Sequence, residues 1–194
     1  MITDHIRNIL LSRMIPQPQQ VQFIDAPDFL WLPAKELTAM TPERWEIPLA
    51  WHNPSPQIRH QAITSRSDEQ YELTVETDRI TIAAGSRLGW LHAIRTLHQL
   101  AERHDGIDCI PCCRISDRPA MPFRGIHLCI FPETTLRDLE QKLRLAAYSK
   151  FNYAVLEFWG TFPFHSHPEF CWDDRRFPAG ALRELLSRCR EEWG

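Results

Sequence analysis

The chain has no run of about 18 apolar residues, which excludes a membrane-spanning helix. Basic charge is scarce too. Lys and Arg number 22 against 25 Asp and Glu, leaving a net charge of -3, without the basic footprint of a nucleic-acid binder. The start, MITDHIRNILLSRMIP, has an acidic residue at Asp4 and only a short apolar run from Ile9 to Leu11. It lacks the basic opening, longer apolar centre and small-residue cleavage site of a secretory leader, so a cytoplasmic protein is expected. The six cysteines are then reduced thiols. A second paired cysteine cluster is missing as well. Cys112 and Cys113 are adjacent and would point to opposite faces of a strand, so with Cys109 they read as small apolar members of a half-buried strand. No metal and no cofactor is expected.

What is present suffices for a packed core: 194 residues, 43% hydrophobic and 24% charged. Residues 1–15 form a short helical lead-in before the turn prolines Pro16 and Pro18. Val21–Ile24 and Phe29–Leu32 are strand candidates around a turn at Asp25-Ala26-Pro27-Asp28. Residues 33–60, broken by Pro33, Pro42, Pro48, Pro54 and Pro56, read as loops and edge strands. Tyr71, Leu73 and Val75 alternate with polar residues, as do Ile80 and Ile82 beyond Thr77-Asp78, which predicts a β-hairpin with one buried face. Trp90, Ala93, Ile94, Leu97, Leu100 and Ala101 then recur at helical spacing. His92 and His98 lie on different faces of that helix and are expected in solvent. Ile107–Ile115 is one more strand, and Ser116–Pro122 reads as a linker.

The second half is organised differently. Phe123–Phe131 is a mostly apolar run, as in a strand buried on both faces. Thr135 with Asp138 three residues on forms a capping box, followed by the helical stripe Leu136, Leu139, Leu143, Ala146 and Ala147. Phe151-Asn152 turns into a second apolar strand, Tyr153–Trp159. After the aromatic and histidine-rich loop 160–177 comes a helix marked by Leu182, Leu185, Leu186 and Cys189. Strand, helix, strand, helix with crossovers of this length predicts parallel pairing. The expected fold is an α+β domain over residues 1–116, a mixed or antiparallel sheet with a helix. The first two βα units of a (β/α)8 TIM barrel follow over residues 117–194. Two strands and two helices do not close a barrel core, so the chain is expected to be the N-terminal part of a longer protein. Its open strand edges are expected to favour self-association around Phe123–Trp159.

Four phrases resemble glycoside hydrolase family 20, the β-N-acetylhexosaminidases and their relatives. Ile15-Pro16-Gln17-Pro18-Gln19 is similar to the family's opening IPxPQ. Gly89, Ala93, Thr96, Leu97, Gln99 and Leu100 are similar to its G-x-x-x-A-x-x-T-L-x-Q-L. Asp117, Pro119, Phe123, Arg124 and Gly125 resemble the D-x-P-x-x-x-x-R-G at the first barrel strand. Tyr148, Lys150, Phe151 and Asn152 resemble the Y-x-K-x-N that closes the first barrel helix. The resemblance implies a small αβ domain beside a catalytic barrel and substrate-assisted hydrolysis, in which the N-acetyl carbonyl of the sugar is the nucleophile. It also implies that the catalytic Asp-Glu pair lies on a later strand, beyond Gly194, so no catalytic residue is assigned in this chain and the chain alone is expected to be inactive. Where the family carries a strand-end aspartate and an Arg-His pair, this sequence has Cys129, Pro132 and Glu133. Where it carries H-x-H and paired aspartates, this sequence has Val155, Leu156, Glu157, Gly160 and Thr161. These departures place it in a divergent branch and leave a second reading, a non-catalytic carbohydrate-binding or interaction module.

Chemistry in (β/α)8 barrels sits at the C-terminal strand ends. Glu157 lies near the end of the second strand, where a carboxylate needs a polar cavity or a cation beside it, with Arg124 as one candidate partner. Trp159, Phe162 and Phe164 follow, and aromatic faces there suit either stacking on sugar rings or loop packing. His165, His167 and Glu169 would share one side of an extended segment, where they form either a structural loop or polar contacts to a carbohydrate rather than a metal site. The expected substrate-binding set is therefore Glu157, Trp159, His165, His167 and Glu169. Arg124, at the start of its strand, is expected in a structural ion pair.

Overall fold

The computed structural model describes residues 4–24, 29–31, 58–64, 67–104, 107–172 and 176–193. The turn expected at residues 25–28 and nearly all of the proline-broken segment lie outside these. The chain divides into two compact units, Met1–Ala120 and Met121–Gly194.

The first unit opens with helix α1 (Asp4–Arg13) and strands β1 (Gln20–Phe23), β2 (Phe29–Trp31) and β3 (Ile58–Ala62). The hairpin β4 (Tyr71–Val75) and β5 (Ile80–Ala84) forms where the alternation predicts it, pairing Leu73 with Ile82. Helix α2 (Arg87–Leu100) follows, then β6 (Glu102–His104), β7 (Ile107–Pro111) and β8 (Cys113–Asp117). One sheet runs β1-β8-β4-β5-β3, antiparallel except for the edge pair β3 and β5. A second, antiparallel sheet runs β2-β7-β6.

Ile107–Ile115 is therefore two strands in two sheets rather than one. Pro111 has no N–H to continue a ladder, and Cys112 leaves it to bond Ile24, whose N–H donates to the Cys112 carbonyl at 3.0 Å. Cys109, Cys112 and Cys113 are buried free thiols, as the apolar reading expects, and burial pushes the Cys113 thiol up to about 12.

Helix α2 starts at Ser86, whose Oγ accepts from the N–H groups of Leu88 and Gly89. Gly89 is required there: a Cβ would run into the carbonyl oxygen of Gln70. Trp90, Ala93, Ile94, Leu97 and Leu100 join Tyr71, Leu73, Ile80, Ile82 and Ile115 in one core cluster. The histidines depart from expectation, because α2 is buried on its polar side as well. His92 is 1% exposed, 2.8 Å from the Glu69 carboxylate and 3.0 Å from the Arg95 guanidinium. His98 Nε2 is shielded from solvent with no hydrogen-bond partner among the described residues. Burial lowers its pKa to about 4.

The expected linker begins inside the sheet. Asp117 ends β8, is buried, accepts from Gln19 N–H at 3.1 Å and from the Tyr71 hydroxyl at 3.1 Å. Tyr71 also meets Thr96 Oγ1 at 2.7 Å, so α2, β4 and β8 share one buried polar network.

The second unit consists of β9 (Gly125–Ile130), α3 (Leu136–Tyr148), β10 (Tyr153–Phe158), a 3-10 turn (Pro168–Phe170) and α4 (Ala179–Arg188), which runs on through one π-turn, Cys189–Trp193. The capping box is present: Thr135 Oγ1 accepts from Asp138 N–H at 3.1 Å, and Asp138 Oδ2 accepts from Thr135 N–H at 2.9 Å. β9 and β10 pair in parallel, with Val155 opposite His127 and Glu157 opposite Cys129. Leu128 and Ile130 pack with Leu139, Leu143, Leu182, Leu185, Phe177 and Trp193 on the helix side. The other side is open. His127 of β9 and Tyr153 and Val155 of β10 are about half exposed, so β9, expected to be buried on both faces, has one open face, as has β10. Among the described residues, no helix is long and apolar enough to cross a membrane.

Candidate functional site

Alternation along a strand sends successive side chains to opposite faces. In β9 this directs Leu128 and Ile130 into the helix-side core and His127 and Cys129 to the open face. In β10, Leu156 and Phe158 join the core, while Val155 and Glu157 stand on the open face. Parallel register then places Glu157 beside both β9 residues. His127 Nε2 lies 2.9 Å from Glu157 Oε2, and the Cys129 thiol donates to the same oxygen at 3.4 Å. Loss of solvent and the bond to Glu157 together hold the Cys129 thiol above its usual range.

Glu157 therefore meets a histidine and a thiol. Arg124 is engaged elsewhere: its Nε donates to the Lys150 carbonyl at 2.7 Å and its Nη1 to the Met121 carbonyl at 2.8 Å. Its backbone N–H donates to Asn152 Oδ1 at 2.9 Å, and Asn152 Nδ2 donates to the Pro122 carbonyl. At the start of β9, Arg124 thus binds backbone carbonyl oxygens on both sides of its strand.

At the C-terminal strand ends, Trp159 N–H donates to Ile130 O, and the Trp159 ring lies 5.9 Å from that of Phe131. Both rings are exposed. Phe162 instead packs edge-on to Phe158 at 5.0 Å, as a loop-packing aromatic does. Gly160 turns the chain with φ 62°, and Trp172 N–H returns to its carbonyl at 2.8 Å. His165, His167 and Glu169 are exposed. The 3-10 turn at Pro168 interrupts the extended segment in which they would have alternated, and His167 Nδ1 lies 3.2 Å from Glu169 Oε1.

His127 and Cys129 were not singled out from the sequence as partners of Glu157. The signal was their i, i+2 spacing on a strand destined to pair in parallel with the strand of Glu157.

The family model for glycosyl hydrolase family 20, domain 2 matches residues 11–118, more than half of the chain. The chain belongs to glycosyl hydrolase family 20. This family-20 chain is 32% identical over 99 residues to a β-hexosaminidase of Akkermansia muciniphila, covering 49% of the chain and 20% of that protein. It is 33% identical over 87 residues to a β-N-acetylhexosaminidase of Cellulomonas fimi, covering 44% and 18%. It thus spans about a fifth of the length of these curated relatives. Among solved structures, the Flavobacterium johnsoniae chitobiase superposes with a TM-score of 0.69 at 22% identity, over 93% of this chain and 33% of that one. The exo-β-N-acetylglucosaminidase of Vibrio harveyi, solved with N-acetylglucosamine, gives 0.61 at 22% identity, over 78% and 26%. At such identities the likeness establishes the fold.

Proposed function

We propose that the protein is the N-terminal part of a glycoside hydrolase of β-N-acetylhexosaminidase type acting on N-acetylhexosaminides. In this reading residues 1–116 form the accessory domain and residues 117–194 open the catalytic (β/α)8 barrel. The observation that carries it is the family-20 match over residues 11–118, continued by a parallel β-α-β-α unit. The open face of β9 and β10 is then the barrel interior, and Glu157 a carboxylate near its catalytic rim. A carboxylate has about four acceptor positions, so Glu157 keeps capacity for sugar hydroxyls beside His127 and Cys129. Such charge-assisted bonds contribute roughly 1.5–3 kcal/mol each. Exposed Trp159 offers a ring face to a sugar. His165, His167 and Glu169 are exposed polar groups on the following loop, available for further contacts.

The test is Glu157→Gln in the full-length protein, assayed on a chromogenic N-acetylglucosaminide. The expected result is a kcat/KM at least ~10-fold lower with little change in melting temperature. A large loss of stability with turnover intact would make Glu157 purely structural. The 194-residue chain by itself is expected to show no turnover, and robust hydrolysis by it would overturn the placement of the acid pair beyond Gly194. The second reading, a non-catalytic carbohydrate-binding module, is favoured by Cys129, Pro132 and Glu133 standing where the family carries its aspartate and Arg-His pair. Saccharide binding without hydrolysis by the full-length protein would select it.

A further inference from the structure

We infer that His127, Cys129 and Glu157 form a binding site for a zinc-class divalent cation. Their ligand atoms, one imidazole nitrogen, one thiol sulfur and one carboxylate oxygen, all lie within 4.8 Å of one another. Among the described residues no other group of three such side chains is so gathered. Zinc binds nitrogen and oxygen at about 2.0–2.1 Å and sulfur at about 2.3 Å, so tetrahedral angles set N and O about 3.3 Å apart and S and O about 3.5 Å apart. The observed separations are 2.9 Å for His127 Nε2 to Glu157 Oε2 and 3.4 Å for Cys129 Sγ to the same oxygen. The third separation, imidazole nitrogen to sulfur, is within 4.8 Å against about 3.6 Å in a tetrahedral zinc site, so side-chain movement of up to about 1 Å admits the ion.

The donors are also held in place. His127 and Cys129 project from alternate positions of one strand, and Glu157 from the residue paired with Cys129 on the next. Imidazole, thiolate and carboxylate together suit zinc better than the oxygen-seeking ions Mg²⁺ and Ca²⁺. With three protein donors, a fourth position stays open toward solvent, since His127 is 56% and Glu157 44% exposed. On ligation the Cys129 thiol releases its proton to the buffer, and the bonds from His127 and Cys129 to Glu157 are exchanged for bonds to the metal. The inference does not depend on the glycosidase reading. If both hold, zinc and a sugar hydroxyl compete for Glu157.

The test is calorimetric titration of the chelator-treated chain with Zn²⁺, with Co²⁺ as a spectroscopic substitute. One Zn²⁺ per chain and a thiolate-to-cobalt charge-transfer band are expected. His127→Gln and Cys129→Ser should each weaken Zn²⁺ binding at least ~10-fold, and Cys129→Ser should abolish the band. His167→Gln and Glu169→Gln should change neither. Absence of saturable Zn²⁺ binding, or binding that persists in both the His127 and Cys129 variants, would overturn the site. His127 is solvent-facing, so its variant decides the matter if Cys129→Ser does not fold. These readouts involve no sugar, so failure here leaves the hydrolase reading untouched.

Discussion

The side-chain amide of Gln99 closes a two-way hydrogen bond with the backbone of Ile15, accepting from its N–H at 2.9 Å and donating to its carbonyl at 2.9 Å. Two of the family phrases, 84 positions apart, are thereby joined. Asp117 joins the third by accepting from Gln19 N–H. In the second unit, Asn152 Oδ1 accepts from Arg124 N–H and so ties the fourth phrase to the third. The residues that carry the resemblance are thus largely those that satisfy each other's backbone groups. Gln99→Ala strands a donor and an acceptor, and is expected to lower the unfolding free energy by about 1–3 kcal/mol in urea titration. An unchanged midpoint would mean that water replaces both bonds.

His98 should give the first unit an acid-sensitive stability. Burial lowers its folded pKa from 6.5 to about 4. The unfolded chain therefore takes up a proton near pH 6.5 while the folded chain still refuses it. The stabilisation is present above pH 6.5 and is lost as pH falls toward 4, by at most about 3 kcal/mol. Denaturant titrations at pH 7 and pH 4.5 should show a smaller loss for His98→Phe than for the parent. Equal losses would assign the acid sensitivity to other groups.

Gly160 stands at φ 62°, and a Cβ there would lie 2.6 Å from the Trp172 ring. Gly160→Ala must tolerate the left-handed backbone, costing roughly 1–2 kcal/mol, and also displace the indole. A lower melting temperature is expected, with partial recovery in Gly160→Ala combined with Trp172→Ala, because the second change removes the obstruction but not the backbone strain. No recovery would assign the whole cost to φ.

The chain should self-associate through its second unit. Among the described residues, β9 and β10 pair only with each other, and Phe123, Tyr153, Val155 and Trp159 are exposed around them. Unpaired strand edges with apolar flanks recruit further strands. Light scattering should show mass rising with concentration, and Val155→Lys should reduce it. A clean monomer at high concentration would contradict this.

Local pattern carried far. The alternation of Tyr71–Val75 and Ile80–Ala84 is a hairpin, the stripe from Trp90 to Leu100 is a buried helix, and Thr135 with Asp138 is a helix start. In each case the signal and the structure it predicts lie within a few residues, so period and capping chemistry suffice. Distant contacts override local pattern elsewhere. His92 looked solvated because the apolar stripe excludes it, yet Glu69 and Arg95 supply it with buried polar partners. Asp117 looked like linker because prolines follow it, yet Tyr71 and Gln19 draw it into the sheet.

The candidate site divides along the same line. Sequence alone determined that Glu157 ends an apolar strand with aromatics after it, and that a parallel partner precedes it, because strand period and crossover length are local properties. The tertiary structure alone decided that Glu157 meets His127 and Cys129 rather than Arg124. That outcome rests on the register between β9 and β10, set by how α3 and α4 pack on the pair. A shift of one residue would have turned the Glu157 carboxylate into the apolar core.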